Sequence, residues 1–327
     1  KESEGWPCTL VVTTPRAFET ARPYLSPEPA GVALIEWMDW DYLLQSSKEL
    51  PDDAGLVIGL GGGRAVDAAK IVALDKGLPL ITVPAIASTG AIIHGTCAKW
   101  RGRDPAYEDE WPWVDCEYVL VDYDLVLEAP AYLNTAGLGD ILCGYSGVAE
   151  WQWWSRQGKE PPFDETVAAR VLEHHEELTG GFEDSLDGDG GLTHRSVHHI
   201  MESLKERDGR SVRHPGMKSA DHQFLIALEL VNDRGWIHGE IAALGSLITA
   251  WMCDAQPEIL VDRLDRCQVR RRPSEMDLGR EQLRKGLASM PEFLEKQGSD
   301  SILRHDPVDD ARFEALWEYL EAGRGGA

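Results

Sequence analysis

The sequence predicts two domains: an α/β domain with a parallel sheet over residues 1–130, and an all-α domain over residues 131–327. Three observations lead there. Short apolar runs alternate with helix-compatible segments through the first 125 or so residues, the order of a helix-flanked parallel sheet. Two of those runs end in turns of small residues, Gly61-Gly62-Gly63 and Ser88-Thr89-Gly90. From Pro130 onward strand signals nearly vanish, and segment after segment fits a helix. A length of 327 residues leaves room for two cores.

In chain order, TLVVT at 9–13 reads as a strand and 16–24 as a short helix. GVALIE at 31–36 is a second strand; the helix at 41–50 is closed by Pro51. Residues 56–60 form a third strand, followed by the helix at 64–76. Strands at 79–83 and 118–121 follow, the latter running into the acidic Asp122-Tyr123-Asp124. The aromatic, Pro-containing 100–117 reads as an excursion or hairpin between strands. In the second half, helices are expected at 138–154, 163–179, 193–206, 222–232, 237–253, 257–265, 280–296 and 311–322. The glycine-rich 180–191 reads as a loop. Its Asp187 and Asp189 lack the further ligands and the terminal Glu of a calcium loop. The one dense basic stretch of this half is 207–218.

With 32 basic and 56 acidic residues the net charge is −24. Such a surface repels nucleic acid and anionic membrane, so neither is an expected partner. Six scattered cysteines with no C-x-x-C pair favour free thiols in a reducing, cytoplasmic setting. No apolar run has membrane length and no signal-peptide core is present. The cluster Trp151, Trp153 and Trp154 fits a core or a subunit interface.

Strand, glycine turn and helix at 56–73 present backbone N–H groups and a positive helix end to a phosphate. The spacing matches neither the Rossmann nor the Walker glycine pattern. The alternative for this stretch alone is a plain glycine-rich turn between a strand and a helix. The second turn, with its two hydroxyls, falls at the end of the next strand, where open α/β sheets bind ligands. In the helical half Asp140, His222 and His238 each lie near the start of an expected helix. One carboxylate with two imidazoles suits a catalytic divalent metal; taken singly, each histidine is more often structural. His94, after the hydroxyl turn, either reaches substrate or packs in its loop. The paired His174 and His175, and His198 and His199, read as solvated helix faces. His194, His214 and His305 carry no signal.

Four motifs occur in order: GGGRAVDAAK at 61–70, ITVPAIASTGA at 81–91, AGLGDILC at 136–143, and IHGE at 237–240 with His222 upstream. Together they resemble the superfamily of iron-containing alcohol dehydrogenases, glycerol dehydrogenases and dehydroquinate synthase. The resemblance implies a dehydroquinate synthase-like fold, with a dinucleotide-binding N-terminal domain. It also implies a nicotinamide cofactor, NAD or NADP, with its pyrophosphate at Gly61, Gly62, Gly63 and Asp67, and Ser88 and Thr89 in the second cofactor turn. Metal ligation carries over to Asp140, His222 and His238, for one divalent metal, Zn, Fe or Ni. Within the superfamily, Ser219-Ala220-Asp221-His222 and the preceding 209–213 are similar to the glycerol-1-phosphate dehydrogenase branch. One departure stands out: Gly90 occupies the position where that branch keeps an Asp thought to touch the polyol.

The expected activity is a metal-dependent dehydrogenase of a small polyol or polyol phosphate, with Arg210, Arg213 and Lys218 as candidates to hold a phosphate. The same three residues fit an ordinary solvated basic loop. The alternatives are a cyclase that uses NAD transiently on a sugar phosphate, and a nucleotide-binding relative without catalysis. An acid at Glu36 or Asp39 would favour NAD by bonding its ribose hydroxyl. The cofactor is expected on the glycines with the metal facing it from the helical side, in a homo-oligomer acting on a small molecule.

Overall fold

The structure is a computed structural model that describes residues 8–102, 104–105, 112–159, 161–210 and 216–322, with the side chains of 104–105 and 207–210 outside the description. The chain divides into two compact units. One comprises Lys1–Asn134 with Leu192–Met201, the other Thr135–Gly191 with Glu202–Ala327.

The first unit is built on a five-stranded parallel sheet. Its strands are β1 (Thr9–Thr13), β2 (Gly31–Leu34), β3 (Leu56–Gly61), β4 (Leu80–Pro84) and, beyond a small hairpin of β5 (Trp100–Arg101) and β6 (Asp104–Pro105), β7 (Tyr118–Val119). Their spatial order is β2-β1-β3-β4-β7. All six residues of β3 are buried, as a central parallel strand covered on both faces requires. Successive side chains alternate between faces. Leu10, Val12, Val57 and Leu80 join one apolar cluster, with Ile71 and Val72 of α3 (Gly63–Lys76). Val11, Ile58, Leu60 and Ile81 join the other. The first crossover is brief: α1 (Pro15–Ala21) has seven residues and passes into a 3-10 turn. Beside the second face is a cavity of about 650 Å³, lined by Val11, Ile58, Leu60, Tyr24 and Tyr123 among others; none of the glycine-turn residues lines it.

Several helix ends of this unit have a local reason. Asp39 caps α2 (Trp40–Lys48), its carboxylate accepting from Tyr42 N. Gly77 ends α3 in the left-handed conformation, φ 62°. Asp122 caps a short α4 (Tyr123–Leu127) through Asp124 N and Leu125 N. The acidic triplet is therefore a helix start, where only the end of a strand was expected.

The helical part contains α5 (Ala131–Leu142), α6 (Gly144–Arg156), α7 (Glu165–Glu183), α8 (His194–Arg210), α9 (Asp221–Asn232), α10 (His238–Met252), α11 (Pro257–Arg266), α12 (Arg280–Lys296), α13 (Ile302–His305) and α14 (Asp310–Glu321). Three expectations are corrected. The helix expected at 138–154 is two helices, because the chain turns at Cys143. There Ser146 N bonds Cys143 O in an i+3 step, and the Ser146 and Ser246 hydroxyls bond the same carbonyl. Helix α7 continues through Gly180 to Glu183, since Leu178, Thr179 and Phe182 keep its face buried. In the loop beyond, Asp187 Oδ1 accepts from Asp189 N and Gly191 N, so this carboxylate closes the turn.

The third correction is His175, which lies in the core of the helical unit at 3% exposure and not on a solvated face. Burial, with Arg263 and His174 nearby, pushes its pKa down to about 3. A histidine held neutral in the fold but titrating normally when unfolded stabilises fully above about pH 6.5 and loses that contribution as pH falls towards 3. The wild type is therefore expected to lose on the order of 3 kcal/mol between pH 6.5 and 4 through this group. In urea unfolding at both pH values, His175→Phe is expected to show a smaller loss; an identical loss contradicts the assignment.

All six cysteines are free. Among the described residues no helix is long and apolar enough to cross a membrane.

Candidate functional site

In the first unit, two turns meet at the carboxyl ends of β3 and β4. Gly61 has a positive φ of 138°, open to glycine and strained for other residues. A Cβ on Gly62 would lie 2.8 Å from the Ile86 side chain, and one on Gly63 2.7 Å from the Thr89 methyl. The second turn therefore packs on the first only because both positions lack a side chain. Gly62 is the N-cap of α3; it offers no side-chain cap, and no acid lies in the first helical turn. Those first N–H groups and the helix dipole make an anion cradle. Buried Thr89 accepts from Ala91 N and starts a 3-10 turn, with buried Ser88 before it. Buried Asn134 fixes the approach, accepting from Ala87 N at 2.9 Å and donating to Val126 O.

Asp67 has a different setting from the one expected. Its Oδ1 accepts from Lys70 Nζ at 2.8 Å. Lys70 is fully buried and also donates to Ala91 O at 2.8 Å and Thr96 O at 2.9 Å. The pair ties α3 to the chain that leaves the hydroxyl turn. His94 sits half-buried on this tether, its N bonded to Gly90 O. Of the two acids near β2, Asp39 is committed: its Oδ1 accepts from Tyr42 N and its Oδ2 from Gly102 N at 2.6 Å. Those bonds, Gly102 first, hold its carboxyl below the usual range. Glu36 stands exposed just past the carboxyl end of β2.

In the helical unit, Asp140 on α5, His222 on α9 and His238 on α10 converge. One ligand atom from each lies within 4.8 Å of the others. Asp140 is fully buried, and its Oδ1 is 3.2 Å from His222 Nε2 and 3.5 Å from His238 Nε2. The imidazole centroids are 5.0 Å apart. Glycines bring the helices this close. A Cβ on Gly139 would sit 2.6 Å from Gly239 O, and one on Gly245 2.9 Å from Asp221 O. Gly139→Ala is therefore expected to push α5 from the start of α10 and lower metal affinity at least about tenfold. Metal titration with circular dichroism as a folding control checks this; unchanged affinity contradicts it.

His222 is oriented from behind. Its Nδ1 lies 2.8 Å from Asp221 Oδ1, while Asp221 Oδ2 accepts from Ser146 Oγ at 2.8 Å and Ser219 Oγ donates to Ser146 Oγ at 2.7 Å. Burial works against the charged imidazole. Asp221 and Asp140 outweigh it and push the His222 pKa up to about 10. A buried carboxylate between two imidazoles thus draws positive charge to one point, and the O, N, N donor set fits Zn, Fe or Ni. A carboxylate behind a ligating histidine is the usual support of such a site. Glu240, next to His238-Gly239, is held bidentate by Arg270 at 2.6 and 2.8 Å and fixes the start of α10. Lys218 is exposed. The Arg210 side chain and all of Arg213 lie outside the described residues, as does His214.

Lys70, Asn134, Ser146 and Glu240 were not among the expected site residues; Lys70 closes GGGRAVDAAK and Glu240 closes IHGE, whereas Asn134 and Ser146 lie in no motif.

Residues 31–130 match the family described as iron-containing alcohol dehydrogenase. Two relatives are glycerol-1-phosphate dehydrogenases [NAD(P)+]. The one from Picrophilus torridus is 26% identical over 245 residues, 72% of this chain and 66% of the relative. That from Haloarcula marismortui is 28% identical over 236 residues, 68% of this chain and 62% of the relative. Over residues 31–130 the chain is similar to the iron-containing alcohol dehydrogenases. It spans just under two thirds of the length of these glycerol-1-phosphate dehydrogenases. A probable glycerol dehydrogenase from Sinorhizobium meliloti shares the fold with a TM-score of 0.70 at 21% identity, covering 98% of this chain and 92% of that one. The parallel sheet and the helical region are thus shared with that solved structure.

Proposed function

We propose that the chain is a metal-dependent, NAD(P)-linked dehydrogenase of a small polyol or polyol phosphate, of the glycerol-1-phosphate/dihydroxyacetone phosphate type. The observation that carries this reading is the convergence of Asp140, His222 and His238, with His222 held by Asp221. The names of the relatives support the substrate class. When bound, the metal supplies Lewis acidity at the substrate oxygen, and the nicotinamide gives or takes hydride. Asp140 and the two imidazoles hold the cation, a single Zn, Fe or Ni. Asp221 fixes the tautomer and orientation of His222, and Ser146 fixes Asp221. The N–H groups at Gly62 and Gly63 hold the pyrophosphate, with Ser88 and Thr89 beside them. Asp67 acts through Lys70 to keep the second turn in place. Lys218, Arg210 and Arg213 are proposed to meet a substrate phosphate, and His94 the substrate itself. A cytoplasmic homo-oligomer is part of this reading.

With Asp39 committed to backbone N–H groups, Glu36 is the acid proposed to meet the adenosine ribose. Glu36→Arg is expected to shift the NADPH/NADH ratio of kcat/KM at least about tenfold towards NADPH, roughly 1.4 kcal/mol of discrimination. An unchanged ratio places the ribose elsewhere.

The proposal is tested by a screen of NADH and NADPH oxidation against dihydroxyacetone phosphate, dihydroxyacetone and simple aldehydes, with Zn, Ni or Fe added. Turnover highest with dihydroxyacetone phosphate is the expected result. Turnover only with aldehydes, or with none of these, overturns the substrate assignment.

A further inference from the structure

The cavity of about 650 Å³ in the first unit shares no lining residue with the glycine turn, the hydroxyl turn or the Asp140–His222–His238 cluster. Its floor is one face of the sheet. Val11 stands beside Ile58 in register and Leu60 beside Val83, and Val11, Ile58 and Leu60 are buried. The face stays open because the crossover from β1 to β2 is only the seven-residue α1 and a 3-10 turn. We infer that this cavity binds an organic cation, an amine or quaternary ammonium carried on an aromatic or aliphatic body.

Size, floor and rim each narrow the ligand. The volume falls in the range of about 300–1,000 Å³ usual for small-molecule sites, whose apolar walls take a hydrocarbon or a ring. The polar part of the lining is acidic. It includes Asp122 and Asp124, and among the described lining residues there is no lysine or arginine. The start of α4 fixes both acids: Asp122 Oδ1 accepts from Asp124 N at 3.1 Å and from Leu125 N at 3.2 Å. Tyr24, also a lining residue, donates to Glu128 Oε1 at 2.5 Å. Glu128 foremost, with Asp122 and Asp124 adding to it, holds the Tyr24 hydroxyl above its usual pKa, so three carboxylates gather round one phenol. Against them stands His194, whose Nε2 lies 2.7 Å from Asp124 Oδ1 and so answers only one. Tyr24 and Tyr123 supply aromatic rings, which attract a cation placed over them. Phosphates, nucleotides and carboxylates are repelled here, and the net charge of −24 adds to that repulsion. The site goes beyond the proposed dehydrogenase activity and does not depend on it.

The test uses the full chain and probes matched in size: naphthylmethylamine, naphthylmethanol and naphthoate. Calorimetry is run in about 0.5 M salt, which screens diffuse surface charge. The amine is expected to bind one equivalent, at least about tenfold tighter than the alcohol, and the naphthoate more weakly than either. ADP-ribose, a probe of the proposed cofactor cradle, is expected not to compete, so this site and the cradle stand or fall separately. Asp122→Asn keeps a good cap on α4 and is expected to remove most of the amine's advantage while leaving the alcohol unchanged. Amine binding that is absent, displaced by ADP-ribose or matched by the naphthoate overturns the inference, as does an undiminished preference for the amine in Asp122→Asn. A crystal of the wild type soaked with a brominated form of the amine decides independently of any variant. Anomalous bromine signal against Ile58 and Leu60 supports the site, and signal confined to other places contradicts it.

Discussion

Asp140→Asn is expected to reduce affinity for the divalent metal by at least about a hundredfold and turnover by about a thousandfold, while the protein stays folded. Asp140 is fully buried and faces both imidazoles through one oxygen. The substitution removes the charge of the proposed ligand and leaves the volume unchanged. It also removes one of the two carboxylates that hold His222 charged, so the His222 pKa is expected to fall. Metal content by elemental analysis and turnover with excess metal read the two effects separately. Wild-type metal content and turnover in the variant would show that this cluster is not the metal centre.

Lys70→Met is expected to destabilise the α/β unit by about 3–5 kcal/mol, the cost of breaking a buried charged pair by removing one partner. The ammonium has three hydrogen-bond acceptors, Asp67 Oδ1, Ala91 O and Thr96 O, and no exposure. Methionine fills similar space but satisfies none of them, and the Asp67 carboxylate, 16% exposed, loses this counter-charge. Because Ala91 follows the hydroxyl turn directly, nicotinamide cofactor affinity is expected to fall along with stability. Urea unfolding measures the first and cofactor fluorescence titration the second. A change below 1 kcal/mol would show that Lys70 is not a tether.

The glycine turn was legible because its signature is local: an apolar strand, three glycines and a helix lie within some fifteen residues. The five parallel strands were legible for the same reason, apart from lengths at the ends. Asp140, His222 and His238 were legible through the order of their motifs. What brings them together was not, since it rests on Gly139 against Gly239 and Gly245 against Asp221, contacts between helices far apart in the chain. Lys70 closes the GGGRAVDAAK motif, but only its burial against residues 91 and 96 reveals the tether. His175 was misread in the same way, on a helix whose neighbours are polar. The bond from Gly102 N to Asp39, some sixty residues apart in the chain, was not legible either. The break at Cys143 depends on Ser246, about a hundred residues away. Local chemistry was written in the sequence, whereas the networks that orient it came from packing.

The Asp140–His222–His238 centre and the glycine turn are proposed to serve one nicotinamide-linked oxidation or reduction. The most direct measurement follows NADH or NADPH absorbance against product formed, on protein stripped by a chelator and then reloaded with Zn, Ni or Fe. The account predicts no turnover when stripped, recovery on reloading, and one cofactor consumed per product. Turnover that survives stripping, or product formed with no net change in absorbance, would contradict it, the latter pointing to a cyclase.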